Sequence, residues 1–164
     1  MSAFTHFNKA GRARMIDVSG KDVTRRTATA QARLLMQPET LAKIRGGTIA
    51  KGDVLAVAQT AGIMGAKRTP DLIPMCHSLL LTGVDIDFKD DPRPNREGRC
   101  SLMVMAIVTT TGQTGVEMEA LTAATVAALT IYDMCKAVDR DMVCTDVCLL
   151  KKAGGKSGAY VRKT

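Results

Sequence analysis

Tryptophan is absent from this 164-residue chain, and all aromatic residues together make up only 3% of it. Proteins that grip single-stranded nucleic acid do so largely by stacking bases on rings. No zinc-finger, dsRBD or RRM signature is present either, so the net charge of +7 points first to a small anionic ligand such as a nucleotide or polyphosphate, with solubility alone as the plainer explanation. No run approaches the ~18 consecutive apolar residues needed to span a bilayer. The N-terminus lacks the apolar core of a signal peptide. The five cysteines, Cys76, Cys100, Cys135, Cys144 and Cys148, are an odd number, and Cys144 and Cys148 do not have zinc-knuckle spacing. Reduced thiols in the cytoplasm, with no membrane association and no metal site, are therefore the expectation. The segment Gly154-Gly155-Lys156-Ser157-Gly158 lacks the GxxxxGK[ST] spacing of a nucleotide-binding P-loop.

With so few rings, the core has to be built from Ala, Val, Leu, Ile and ten Met. A chain of this length fits one domain and can bury roughly two thirds of its unfolded surface. Small side chains also permit close helix packing and an extensive subunit contact. The organising stretch is Thr114 to Val138. Leu121, Ala124, Ala128, Ile131 and Cys135 recur at helical spacing in a segment nearly free of charge from Ala120 to Tyr132. The pattern predicts a central helix with Glu117, Glu119, Asp133 and Lys136 reserved for its ends.

Residues 1–13, which include His6, are polar and mixed, and read as a flexible arm. Met15 to Val18 reads as a short strand. Thr24 to Leu34 alternates as a strand does, although its alanines would suit a helix. Pro38 opens a short helix that Gly46 and Gly47 stop. Gly52 to Lys67 reads as a helix capped by Asp53, with Val54, Val57, Ala58, Ala61 and Met64 on its buried face and two internal glycines that call for close packing or a ligand. Arg68 to Pro74 is a bend. Leu79 to Lys89 and Cys100 to Thr109 form a hairpin around a surface loop. Met142 to Leu150 is a last strand, and residues from about 153 onward form a mobile loop. This order fits a two-layer α+β sandwich.

Among candidate chemical groups, Lys136 stands three residues from Asp133, either as an ordinary helical ion pair or as a proton-transfer couple. Asp133 lies fourteen helical steps beyond Glu119, so the two are roughly 21 Å apart and cannot share a proton. His77 leaves the proline bend as a possible base or phosphate donor, or as a structural histidine. Cys76 has nothing beside it to stabilise a thiolate and reads as packing. The glycine-rich segment with Lys156 could close over phosphates.

Three runs, KGDVLAVAQTAGIMGAKRTPDLIPMCH, TGQTGVEMEALTAATVAALTIYDMCKAV and LLKKAGGKSG, closely resemble the cyclic pyranopterin monophosphate synthase family of molybdenum cofactor biosynthesis, from about Thr5 to Gly158. The resemblance implies a single catalytic domain with a ferredoxin-like fold, assembled as a homohexamer (a trimer of dimers) with sites at subunit contacts. It implies conversion of 3′,8-cyclo-7,8-dihydro-GTP into cyclic pyranopterin monophosphate and pyrophosphate, a phosphorus–oxygen lyase reaction, with no cofactor beyond a Mg²⁺ that could accompany the triphosphate. Asp133 matches the catalytic acid/base, and Lys136 and Lys51 the catalytic lysines. Met75, Cys76, His77, Met118 and Glu119 match substrate-contacting segments. Glu117, Lys67, Lys152 and Lys156 look like further pocket residues, with Asp17 and Arg26 reaching in from a neighbouring subunit. Ser78 stands where the family often has Pro, Thr145-Asp146 where it often has Gly-Pro, and the loop at 90–99 is long. The chemistry suggests that Lys51 and Lys136 crowd and depress each other while Asp133 orients one of them. The readings of other classes are a nucleotide-binding module without turnover, which would not need the Asp133/Lys136 couple, and a nucleic-acid scaffold, whose complexes would be strongly salt-dependent.

Overall fold

In the computed structural model, which describes residues 10–163, the segment of disputed period is the centre of the sheet. Strand β1 (Thr24–Met36) sends Ala28, Ala30, Ala32, Leu34 and Met36 inward, all essentially inaccessible. The alternation prevails over the alanines' helical preference because both neighbours of β1 are strands. It pairs antiparallel with β3 (Cys100–Gly112) on one side and β4 (Val143–Ala153) on the other. Strand β2 (Leu81–Asp91) pairs with β3 at one edge, and the short β5 (Tyr160–Val161) pairs with Lys151 and Lys152 of β4 at the other. The order β2-β3-β1-β4-β5, with helices linking β1 to β2 and β3 to β4, is a ferredoxin-like α+β sandwich with one added edge strand.

Helix α1 (Pro38–Arg45) begins at its proline and ends at Gly46, as its sequence predicts. Helix α2 (Val54–Lys67) is capped by the Asp53 carboxylate, which accepts the Ala56 amide at 3.0 Å. The bend that follows contains one helical turn, α3 (Thr69–Leu72). Helix α4 (Glu117–Cys135) packs on β1, β3, β4 and α2. Its buried face is Ala120, Ala123, Ala124, Ala127, Ala128 and Ile131, set over the alanines of β1. Small groups on both surfaces let helix and sheet approach closely, and a dense core then needs no rings.

Two expectations are corrected. The buried face of α2 is Val54, Ala58, Gly62, Gly65 and Ala66, while Val57 and Met64 are 46% and 58% exposed. The glycines decide the orientation. A Cβ on Gly62 would stand 3.0 Å from the Ala123 carbonyl oxygen, and one on Gly65 would stand 2.9 Å from Val126 Cγ2. Helix α4 can come this close only to a face without side chains. Met15 to Val18 forms no strand; the Ile16 carbonyl is bonded by a histidine side chain and the Val18 carbonyl by the Lys21 amide, so neither is left for a ladder. Of the arm expected over 1–13, residues 1–9, with His6, lie outside the described residues.

Gly65→Ala tests this close approach. Overpacking against the branched Val126 costs about 1–3 kcal/mol, offset by about 1 kcal/mol of improved helix propensity. A net loss of stability is expected in urea unfolding, and a more stable variant would show that the helices have room to spare.

Candidate active site

The sequence-predicted residues gather at the two ends of α4. At the C-terminal end, Asp133 lies in the last turn and Lys136 caps it. Lys136 Nζ stands 2.6 Å from Asp133 Oδ1 and Lys51 Nζ 2.9 Å from Asp133 Oδ2. Lys51, just ahead of α2, also donates to the Asp133 main-chain carbonyl at 2.8 Å. All three side chains are about half exposed. Bonds from Lys136 first, and then from Lys51, hold the Asp133 carboxyl down at about 2, and the same bond raises Lys136 above the usual lysine range. The expected depression of Lys136 is therefore corrected: the carboxylate sits between the two ammonium groups and bonds to both. Such a bridge can hold a proton donor in place and keep its counter-charge permanently ionised.

The other end of α4 opens on three adjoining cavities. The first, about 330 Å³, is lined by Met75, Cys76, His77, Glu117, Met118 and Glu119 among others. His77 donates from Nε2 to the Ile16 carbonyl at 2.8 Å, because a carbonyl can only accept. In the neutral ring Nδ1 is then an acceptor. Burial pushes the Cys76 thiol upward, aided by the Glu119 charge, so the thiol is a neutral lining group. Glu119 is only 3% exposed. Burial raises its carboxyl, its own backbone amide opposes this, and the charge of Glu117 adds to the rise. The remaining cavities, about 210 and 850 Å³, form a basic groove lined by Lys21, Arg26, Lys152, Lys156 and Ser157. Arg26 Nε donates to the Gly112 carbonyl at 2.8 Å, so main-chain oxygens hold the guanidinium in position. Gly155 lies directly against it, where a Cβ would collide with Arg26, and Gly154, at φ +94°, has the Arg25 carbonyl where its Cβ would be. The loop can close over Arg26 only with glycine at both positions. Groups of this kind suit phosphate oxygens.

The structure does not bring every expected residue into these sites. Asp17 accepts the Ser19 amide at 2.8 Å, which lowers its carboxyl, and lies between the cavity-lining Ile16 and Val18. Lys67 ends α2 in an exposed position outside the three cavities. Lys51, Asp133 and Lys136 also lie outside them, and the fourteen helical steps of α4 from Glu119 to Asp133 span roughly 21 Å. Among the described residues, no cluster of His, Cys, Asp and Glu is placed to hold a metal ion, and no helix is long and apolar enough to cross a membrane.

Lys21 was missed in the sequence. It lines all three cavities, on a turn clamped by Gln113 Nε2, which donates to the Ser19 and Lys21 carbonyls at 2.8 and 3.0 Å. Between Gly20 and Asp22 it reads only as a turn residue, and its signal is a contact 92 residues away.

Burial of Glu119 gives a pH prediction. Because its folded carboxyl titrates above the ordinary 4.5, the unfolded chain ionises first. The native protein then loses stability as pH rises from 4.5 through the folded value, and the loss is constant beyond it. Glu119→Gln carries no such penalty, so its Tm relative to native is expected to climb with pH over that window and then level off. A pH-independent difference in thermal melts would count against the assignment.

A ferredoxin-like sandwich with a lysine–aspartate bridge at one end of its central helix and a basic groove at the other is the frame of an enzyme with a small-molecule substrate. The match to the MoaC family model covers residues 15–155, and the chain belongs to that family. Proteins named cyclic pyranopterin monophosphate synthase are similar to it over nearly their whole length. The one from Syntrophomonas wolfei is 62% identical, that of a Thermoanaerobacter species (strain X514) 60%, each over 97% of this chain and 98% of its own length. The one from Peptoclostridium acidaminophilum is 58% identical over 98% of both chains.

Proposed function

We propose that this chain is a cyclic pyranopterin monophosphate synthase, a phosphorus–oxygen lyase of molybdenum cofactor biosynthesis acting in the cytoplasm as one catalytic domain. It converts 3′,8-cyclo-7,8-dihydro-GTP into cyclic pyranopterin monophosphate and pyrophosphate. The observation that carries this reading is the Lys51–Asp133–Lys136 bridge, two ammonium groups held on one carboxylate at 2.9 and 2.6 Å. Rebuilding a purine-derived ring as a pterin needs repeated proton transfers, which lysines held in place can relay. Closing the cyclic phosphate needs a hydroxyl of the substrate to lose its proton, its oxygen to bond to the α-phosphorus, and the bond to the pyrophosphate oxygen to break. Lys21, Arg26, Lys152 and Lys156 suit the charge of that leaving group. Met75, Cys76, His77, Met118 and Glu119 line the adjoining cavity of about 330 Å³, whose thioether and ring surfaces suit the heterocycle. A Mg²⁺ carried by the triphosphate would belong to the substrate.

The relay and the groove are too far apart in one chain to serve one substrate, so each site is composite, the relay of one subunit facing the groove of another in a homohexamer built as a trimer of dimers. The exposed Val57 and Met64 on α2, and the half-buried Met103, Met105 and Ile107 on the sheet face away from the helices, are apolar surfaces suited to such contacts. The test is pyrophosphate release from the cyclised GTP intermediate by the purified protein. Turnover supports the synthase, and a folded protein that binds the intermediate without releasing pyrophosphate would leave a binding module.

A further inference from the structure

The smaller groove cavity is lined by Lys21, Arg26 and Lys152, and by a single carboxylate, that of Glu117. Glu117 Oε1 stands 3.0 Å from Lys152 Nζ, with the two side chains only 30% and 25% exposed. Lys152 also donates to Ser157 Oγ at 2.9 Å, so one ammonium joins the carboxylate to the glycine-rich loop. Glu117 reaches this position by folding back over Gly115, where a Cβ would collide with its carboxylate. An acidic group at the start of α4 is favoured by the helix dipole wherever its side chain points. Its turn toward Lys152 is thus a specific feature of the groove.

We infer that Glu117 is an internal competitor for phosphate: in the empty site its carboxylate holds Lys152, and the substrate's phosphates take that lysine from it. This rests on the reading of the groove as the phosphate side of the site. A phosphate chain carries more charge than one carboxylate and can engage Lys21, Arg26 and Lys156 at the same time, so it wins the exchange. The displaced Glu117 is repelled by the phosphates it now faces. Once the bond to the α-phosphorus has broken, pyrophosphate has fewer anchors than the intact substrate, and Glu117 returning to Lys152 helps to expel it. Glu117 thereby lowers affinity for every phosphate ligand and lowers it most consequentially for the product.

Calorimetric titration of inorganic pyrophosphate into the full-length protein tests the inference. Glu117→Gln keeps the volume and removes the charge, and is expected to bind pyrophosphate roughly three- to fivefold more tightly than native, the size of a partly exposed ion pair. Pyrophosphate should inhibit its turnover more strongly by the same factor. Gly115→Ala is the second variant: its methyl drives the carboxylate off Lys152 without removing the charge, and moves the affinity in the same direction. Mere structural damage would weaken binding, so a gain is diagnostic. If native protein binds pyrophosphate and neither variant binds it more tightly, the competitor role is overturned while the groove stands. If none of the three binds it, the phosphate reading of the groove falls as well.

Discussion

Replacing Asp133 by Asn is expected to lower the rate of pyrophosphate release by roughly 10²–10⁴, the usual contribution of a positioned proton-transfer group, while the folded protein is preserved. Asp133 is 57% exposed on the last turn of α4, so Tm should stay within about 2 °C of native. The loss is chemical. Asn cannot balance two ammonium groups, and Lys51 and Lys136, now facing one another across a neutral amide, separate or lose protons. The pH profile distinguishes this from a loss of substrate binding. In the native protein Asp133 titrates at about 2, so it remains a carboxylate throughout the working range and contributes no acid limb above about pH 4. Lys136 is raised by its bond to Asp133. Removing the carboxylate lowers it, so the alkaline limb of the residual activity should move to lower pH. A variant with the native rate would remove Asp133 from the chemistry.

Most of the architecture can be read from local pattern, and the exceptions share one cause. The β1 alternation, the Asp53 cap, the proline start of α1 and the glycine stop after it are decided within a few residues of themselves. The face of α2 is not. A periodicity reading favours Val57 and Met64 for the core because they are large and apolar, yet the packing partner is a helix whose closest approach requires bare backbone at Gly62 and Gly65. The candidate site divides in the same way. Asp133 and Lys136 are helical neighbours and stand out for that reason, whereas Lys51 joins them across 82 residues. Glu119 stands out, with Glu117, as an acid at the edge of an apolar stretch, but nothing in its neighbourhood announces that it is 3% exposed. Lys21 is visible only once Gln113 has fixed its turn.

The electrostatics of the two ends differ in a way that suits their proposed roles. At the relay, two cations share one anion in an exposed setting, so the charges are held by direct bonds and not by exclusion of water. In the groove, Arg26 is fastened by main-chain carbonyls, which position a guanidinium without neutralising it. The first arrangement keeps proton carriers in register, and the second keeps positive charge available for a ligand. Neither is complete for a triphosphate-bearing heterocycle, which needs both within the length of one molecule.

Two inactive variants should therefore repair one another. Asp133→Asn damages the relay and Arg26→Ala damages the groove, at opposite ends of α4, and each homogeneous protein is expected to be nearly inactive. In a dimer with two-fold symmetry and composite sites, a mixed pair places both lesions in one site and leaves the other intact. Random pairing makes about half of the dimers mixed, and half of their sites work, so co-expressed chains should recover about a quarter of the native activity. If each chain carried a complete site, mixing would give only the sum of the two residual activities. The control pairs Asp133→Asn with Lys51→Ala. Both changes strike the relay, so every site of a mixed dimer has a broken relay and no recovery is expected. Recovery in the first pairing and none in the second would place the relay and the groove of one site on different chains; recovery in neither would put the working site within a single chain and require α4 to bring its two ends to the substrate by some other route, and recovery in both would place Lys51 and Asp133 of one site on different chains, against the bridge they form within one chain.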